Sequence, residues 1–302
     1  MASLTRISRR RKDDLLFIIL MLLPAGLIMA VVTIYPLVRS FIISLLQWDL
    51  TKPNLAHVFV GFDNYKYVLT DPTFWQSAKV TGLFVLGSVS LNISLALVVA
   101  LMLNREFIGR NLVRMLALLP WAIPGVVNGI MWKWILNPSY GALNGALFQL
   151  GIIDKYVIWL GTPTGALIMG ILADVWKEMP FIMLLLLAAL QTIPKDLYEA
   201  ATVDGANAFR SFWNITIPLI KPTLFVALTL RTIWALKSFD LIYTLTSGGP
   251  SGGTTVIGYY TYLKTFVSLN LGRGSAVAYL MTLVVGIVVI LYQRALYKEV
   301  RY

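Results

Sequence analysis

The groups in this sequence with the clearest capacity for chemistry are charges set inside long apolar runs. The run 165–190 carries Asp174, Lys177 and Glu178, and the run 223–246 carries Arg231, Trp234, Lys237, Ser238 and Asp240. A charge surrounded by hydrocarbon is expensive, so such residues face a cavity or a partner. On a helix Asp174 and Glu178 are four apart and share a face, and Lys177 is within reach of Asp174 for an ion pair; Lys237 can meet Asp240 one turn on. Asp174 falls roughly 14 Å along its helix, near the middle of a layer about 30 Å thick. Pro180 removes a hydrogen bond just beyond, where a kink is expected.

A third run, 112–136, places Trp121 and Gly125 four apart between Pro120 and Pro124. Trp234 and Ser238 also share a helix face. Flat aromatic surface beside fixed carboxylates and hydroxyls is what a ring with apolar faces and a hydroxyl rim requires. The same residues also fit a plainer account, with an ion pair bridging two helices, core tryptophans and an interhelical serine. Gly125-x-x-x-Gly129 reads as close helix packing.

The elements that must position these groups are membrane helices. The chain has 302 residues, of which 58% are hydrophobic and 13% charged, against a usual quarter charged in soluble domains. Six stretches are long enough to cross as helix, about 15–46, 75–103, 112–136, 165–190, 223–246 and 275–296. The fold expected is therefore an all-α integral membrane protein with six transmembrane helices in one permease-like domain over 1–302, preceded by a tail of about 1–14. Arg9-Arg10-Arg11-Lys12 could open a secretory signal, but the apolar run is too long and lacks a small-x-small site. It reads as an uncleaved first span interrupted by Pro24 and Pro36.

A formal charge of +11 raises nucleic acid as a partner, but the cations cluster beside apolar runs, as at a membrane surface. With the N-terminus inside, the inner segments hold Arg6, Arg9, Arg10, Arg11, Lys12, Arg105, Arg110, Arg114, Lys195, Arg210, Lys221, Arg294, Lys298 and Arg301. The outer side holds Arg39, Lys52, Lys66, Lys79, Lys133, Lys155, Lys264 and Arg273. The excess puts both termini and the segment 191–222 in the cytoplasm. Trp48, Trp75, Trp132, Trp134 and Trp159 fall near outer ends, as aromatic anchors do. There is no cysteine and one histidine, His57, so thiol or multi-histidine metal chemistry lacks ligands and an intramembrane enzyme is disfavoured. Gly248 to Thr255 has phosphate-loop spacing, but Thr254 stands where the lysine must be and no strand precedes it.

Between the fourth and fifth runs lies a helical segment that is not itself a span. Pro194 suits a helix start, Asp196 and Glu199 place negative charge in its first turn, and Gly205 suits its end. A short helix from about Lys195, a break and a second short helix are expected, with Pro218 and Pro222 at the entry to the next run.

Glu199-Ala200-Ala201, Asp204-Gly205-Ala206 and Ile215-x-Ile217-Pro218 resemble the cytoplasmic loop of binding-protein-dependent ABC importer permeases, and within them the maltose-type sugar permeases. Ile217 stands where that family usually has leucine. Leu119-Pro120-Trp121-Ala122-Ile123-Pro124, Gly61-Phe62-Asp63-Asn64-Tyr65, Asn137-Pro138-x-Tyr140-Gly141 and Thr246-Ser247-Gly248-Gly249-Pro250 extend the resemblance over about 15–298. A large outer domain or extra N-terminal spans, which some members carry, are not expected.

The resemblance implies a transmembrane subunit of an ATP-driven importer with no ATPase site of its own. It implies as partners a second homologous permease subunit, two ATP-binding-cassette ATPase subunits that carry ATP and Mg, and an extracytoplasmic solute-binding protein, in a bacterial or archaeal cytoplasmic membrane. Glu199, Ala200, Ala201, Asp204 and Gly205 would form the coupling helix. Trp121, Gly125, Asp174, Lys177, Glu178, Trp234, Ala235 and Ser238 match positions that line the sugar pathway, and the loop at Gly248 would touch the solute-binding protein. Residue types at the cavity differ from those of maltose carriers, so Asp174 and Glu178 suit a neutral polyol while Lys177, Arg231 and Lys237 suit an acidic sugar or a phosphate ester. An ion-coupled secondary transporter is the rival, as six spans and midplane carboxylates would serve it too.

Overall fold

The computed structural model describes residues 2–52, 54 and 57–296. Lys298 and Arg301, which enter the charge argument for orientation, lie outside the described residues. The chain divides into two compact units, one of residues up to Val68 with Lys264–Tyr279, the other of Leu69–Leu263 with the chain from Leu280.

The first unit is built on a broken helix. Helix α1 (Ala2–Met29) passes through a π segment (Ala30–Ile34) into α2 (Tyr35–Ser44), so helix also covers the stretch expected as a tail. Pro24 sits inside α1, and Pro36 opens α2, where its missing N–H costs nothing. Phe17–Ser44 is apolar and almost wholly uncovered by protein, which suits hydrocarbon as its solvent. A two-residue antiparallel ladder follows, β1 (Leu46–Gln47) with β2 (Val58–Phe59), then α3 (Asp63–Thr70). Asn64 Nδ2 donates to the carbonyls of Ser44 (2.9 Å) and Leu46 (2.8 Å), closing the turn after α2.

The second unit holds the elements that matter for function. Helix α4 (Pro72–Asn104) starts at Asp71, whose carboxylate accepts from Thr73 N–H at 2.9 Å, with Pro72 at the first helical position. Helix α8 (Pro163–Gln191) starts the same way, Thr162 Oγ1 accepting from Gly165 N–H at 3.1 Å. The two pack along their length. Ala96 and Ala100 of α4 are fully buried among Ile182, Met183, Leu186 and Leu190 of α8, small side chains on one helix receiving large ones from the other. Helix α11 (Ile217–Leu236) joins the same core through Ile220 and Ala227.

The third expected span is not one helix. Helix α5 (Arg110–Ala117) runs into a single 3-10 turn (Leu119–Ala122), and α6 (Gly125–Ile135) leaves at 96°. The cause is Pro120 and Pro124: neither has an N–H for a ladder, and each biases the residue before it away from helix. The fifth span also departs from expectation. Helix is continuous from Ala208 to Leu236 and then breaks, with α12 (Asp240–Leu245) as a separate piece.

Among the described residues, four helices are long and apolar enough to cross a membrane, or five if the bent pair counts as one span. Helix α8 fails that count through charge and not through length. It has 29 residues, but every stretch of 18 within it contains Asp174, Lys177 and Glu178. The remaining pieces are α7 (Ala142–Gln149), α9 (Lys195–Val203), α10 (Ala208–Ser211), α13 (Ile257–Tyr262) and α14 (Leu271–Leu296).

Candidate solute cavity

The charges of α8 and α11 meet at one place. Asp174 Oδ2 takes hydrogen bonds from Arg231 and from the hydroxyl of Ser88 on α4, and Arg231 also reaches Ser88. Asn92, with its amide oxygen turned toward α8, accepts from Met179 N–H (3.1 Å) and Arg231 Nε (3.3 Å). Three helices are thereby tied through one guanidinium that has no exposed surface at all. Lys177 does not pair with Asp174 as its spacing suggested; its Nζ lies 2.5 Å from Glu178 Oε1. Adjacent helix residues do not ordinarily face each other, so this pair forms because both long side chains turn into the same cleft.

That cleft is a cavity of about 220 Å³. Asp174, Lys177, Glu178 and Trp234 form one part of its wall, Gly125 and Asn128 of α6 another, and Lys237, Ser238, Phe239 and Asp240 at the break after α11 the rest. Asn128 is buried and donates to Ala173 O at 3.2 Å, which leaves its Oδ1 without a partner; Arg231 Nη1 is likewise unpartnered. Gly125 is required by the closeness of α12, since a Cβ there would sit 3.1 Å from Asp240 Oδ2. One turn on, a side chain at Gly129 would collide with Thr244, so the glycine pair seats α12 on α6.

Of the residues expected at a solute pathway, Gly125, Asp174, Lys177, Glu178, Trp234 and Ser238 share this cavity. Trp121 stands beside it, stacked on Phe181 at 5.3 Å, and Phe181 lies 5.3 Å from Trp234, so three rings form a ladder from the α5–α6 break to α11. Ala235 is elsewhere. It faces the opposite way, fully buried with Val80, Phe84 and Ile242, because successive helix positions turn by about 100° and Trp234 holds the cavity side. Asn128 and Phe239 were not singled out from sequence. An Asn one turn after Gly125, within an apolar run, was the available signal.

The segment expected to lie between spans folds as α9 from Lys195 to Val203. Gly205 has φ +77°, and its N–H bonds Thr202 O (3.0 Å) while Ala206 N–H bonds Ala201 O (2.8 Å), a Schellman closure that needs a left-handed residue at that point. Asn207 then caps α10 by accepting from Arg210 N–H at 2.9 Å. Tyr198 turns inward and its hydroxyl meets Thr216 Oγ1 at 2.8 Å. Glu199 and Ala200 are exposed on the outer face of α9, with Val203, Phe209 and Trp213 presenting apolar surface nearby. The phosphate-loop lookalike closes on itself instead of presenting a cradle: Thr254 Oγ1 donates to Gly249 O (2.8 Å) and Thr255 Oγ1 to Gly248 O (3.0 Å).

Comparison with known proteins agrees with this geometry. Residues 92–302 match the family described as binding-protein-dependent transport system inner membrane component. The chain is 47% identical to the trehalose/maltose transport system permease protein MalF of Thermococcus litoralis, over 86% of this chain and 87% of that one. It is 39% identical to the sulfoquinovosyl glycerol transport system permease protein SmoG of Agrobacterium fabrum, over 89% and 86% respectively. In structure it is similar to a chain of a bacterial ABC transporter involved in import of the acidic polysaccharide alginate, with TM-score 0.82, 25% identity and coverage of 98% of this chain and 100% of the other. A second structure of an alginate transporter, in complex with a periplasmic protein that carries an alginate pentasaccharide, gives TM-score 0.80 at 26% identity over 95% of each chain. On family, relatives and fold alike, this chain belongs to the binding-protein-dependent inner-membrane transport components, as a permease subunit of a sugar ABC importer.

Proposed function

We propose that this chain forms one half of the translocation pathway for a sugar or oligosaccharide, and that the cavity between α6, α8 and α11 holds the solute in transit. The observation that carries the proposal is the set of polar and aromatic groups, Asp174, Lys177, Glu178, Trp234 and Ser238, gathered around one cavity in helices that are otherwise apolar. At about 220 Å³ the cavity is smaller than the roughly 300–1,000 Å³ of complete small-ligand sites, which fits a site whose other wall comes from a second, homologous permease.

In this reading the chain crosses the membrane six times as a single permease domain, with α5 to α6 as one broken span and α8 as a charged one. Both termini and α9 lie in the cytoplasm. Glu199, Ala200, Ala201, Asp204 and Gly205 form the coupling helix, which two separate ATPase subunits, carrying ATP and Mg, grip and move. A solute-binding protein delivers the sugar from outside and touches the loop at Gly248. The exposed Glu199 and the uncovered Val203, Phe209 and Trp213 support a docking role, since a polar centre with apolar neighbours is what a protein partner covers.

The test is uptake by proteoliposomes that contain the chain with its second permease, ATPases and binding protein. Trp234→Ala combined with Glu178→Ala is expected to lower uptake at least tenfold while the complex still purifies whole. Wild-type kinetics from that variant would place the pathway elsewhere. An ion-coupled carrier, the competing mechanism, predicts uptake that an uncoupler stops while ATP is held constant.

A further inference from the structure

The relatives do not agree on the charge of the solute, since one is named for trehalose and maltose and another structure serves the acidic polysaccharide alginate. The cavity itself is more decisive. We infer that it is built for an uncharged, hydroxyl-bearing glycan and against acidic or phosphorylated sugars, with Asn128 as a specificity-determining acceptor; this rests on the proposal that the cavity holds the solute.

Six charged residues surround the cavity, Asp174, Glu178 and Asp240 against Lys177, Arg231 and Lys237, so the formal charge is zero. The two deepest cations are already matched, Arg231 by Asp174 and Lys177 by Glu178. Lys237 and Asp240 stand together at the exposed break between α11 and α12, one of each sign. An incoming carboxylate or phosphate would have to take a cation from its partner. It would then leave that carboxylate uncompensated beside a second negative group, which is the costly outcome in a poorly hydrated site. A cationic solute meets the mirror problem.

A neutral polyol disturbs neither pair and uses what remains. The atoms with hydrogen-bonding capacity left over in the residues around the cavity are a donor, Arg231 Nη1, and an acceptor, Asn128 Oδ1. A hydroxyl both donates and accepts, so it satisfies either group, whereas a carboxylate only accepts and would face the Asn128 oxygen lone pair to lone pair. Asp174 neutralises Arg231, so the guanidinium acts here as a dipolar donor more than as a net charge. Trp234 supplies the apolar face that a sugar ring covers.

The experiment is calorimetric titration of the detergent-solubilised complex of both permeases and both ATPases, without the binding protein, so that selectivity upstream does not contribute. The probes are maltose and trehalose against digalacturonate and glucose 6-phosphate. The wild-type complex is expected to bind a neutral disaccharide at least tenfold more tightly than either anion. Glu178→Gln, which strips Lys177 of its partner, should narrow that preference about tenfold. Asn128→Ala should weaken the neutral sugar about tenfold with the complex still intact by size-exclusion chromatography. Equal or tighter binding of an anion by the wild type overturns the inference; if Trp234→Ala abolishes that anion binding, the cavity remains the solute site and only its charge preference is refuted. Sugar binding that neither Trp234→Ala nor Asn128→Ala changes refutes both, and silence from all four probes overturns the inference as well.

Discussion

Asp174 and Arg231, 57 residues apart in the chain, meet in a buried ion pair that Ser88 completes from a third helix. Helices α4, α8 and α11 share their apolar core with one another, but this pair is where their register is set by directional bonds. Arg231 has no exposed surface and Asp174 has 8%.

Removing one member therefore costs more than removing both. Arg231→Met leaves a buried carboxylate with only a hydroxyl donor, an outcome worth about 3–5 kcal/mol in comparable sites. Arg231→Met with Asp174→Asn removes the charge altogether and should recover most of that loss. Thermal melting of the purified complex checks this as a double-mutant cycle, and equal melting temperatures for the single and double variants would contradict the account.

The seating of α12 on α6 gives a second test. A methyl group at Gly129 runs into Thr244, so Gly129→Ala should lower stability by about 1–3 kcal/mol, as overpacking does. Thr244→Ala in the same chain removes the colliding hydroxyl and should restore part of the loss. Yield and melting temperature of the detergent-purified complex report both, and absence of any rescue would mean that α12 is held by other contacts.

How much of this was legible beforehand depends on whether the cause was local. The limits of α9 could be read because Pro194 and Gly205 act on their own backbone, and no distant residue is needed to start or stop that helix. The 96° bend between α5 and α6 was missed, although Pro120 and Pro124 were in view, because span-finding by length and apolarity averages across a break. That Asp174 belongs to a polar site was visible from its cost in hydrocarbon. That its partner is Arg231 and not Lys177 was invisible, since a three-residue separation suggests contact and a 57-residue separation suggests nothing. Ala235 was placed at the pathway by resemblance, and helix rotation turns it into the core behind Trp234.

Gly205 offers a test of the coupling proposal that separates backbone from side chain. Nothing lies within 4 Å of a Cβ built there, so the constraint is the positive φ alone. Gly205→Asn, which tolerates left-handed angles, should retain most ATP-driven uptake, while Gly205→Val should lose it, the strain being about 1–2 kcal/mol before any effect on docking. Both variants should insert and purify normally. Equal uptake from Asn and Val would show that the Schellman closure is not needed for coupling.

Tyr198 gives the sharpest separation between holding α9 in place and engaging a partner. Its hydroxyl bonds Thr216 at the start of α11, the helix that carries Arg231 and Trp234 to the cavity, so it joins the exposed segment directly to the solute pathway. Tyr198→Phe removes that bond, worth about 1 kcal/mol, and leaves the outer face with Glu199 and Ala200 untouched. The expected result is unchanged co-purification of the ATPases with a several-fold drop in sugar uptake per ATP hydrolysed. Glu199→Ala should do the reverse, weakening co-purification without altering the Tyr198 contact. If Tyr198→Phe transports as the wild type does, motion reaches α11 by its continuous backbone through Ala208–Thr216 and not by this side-chain link.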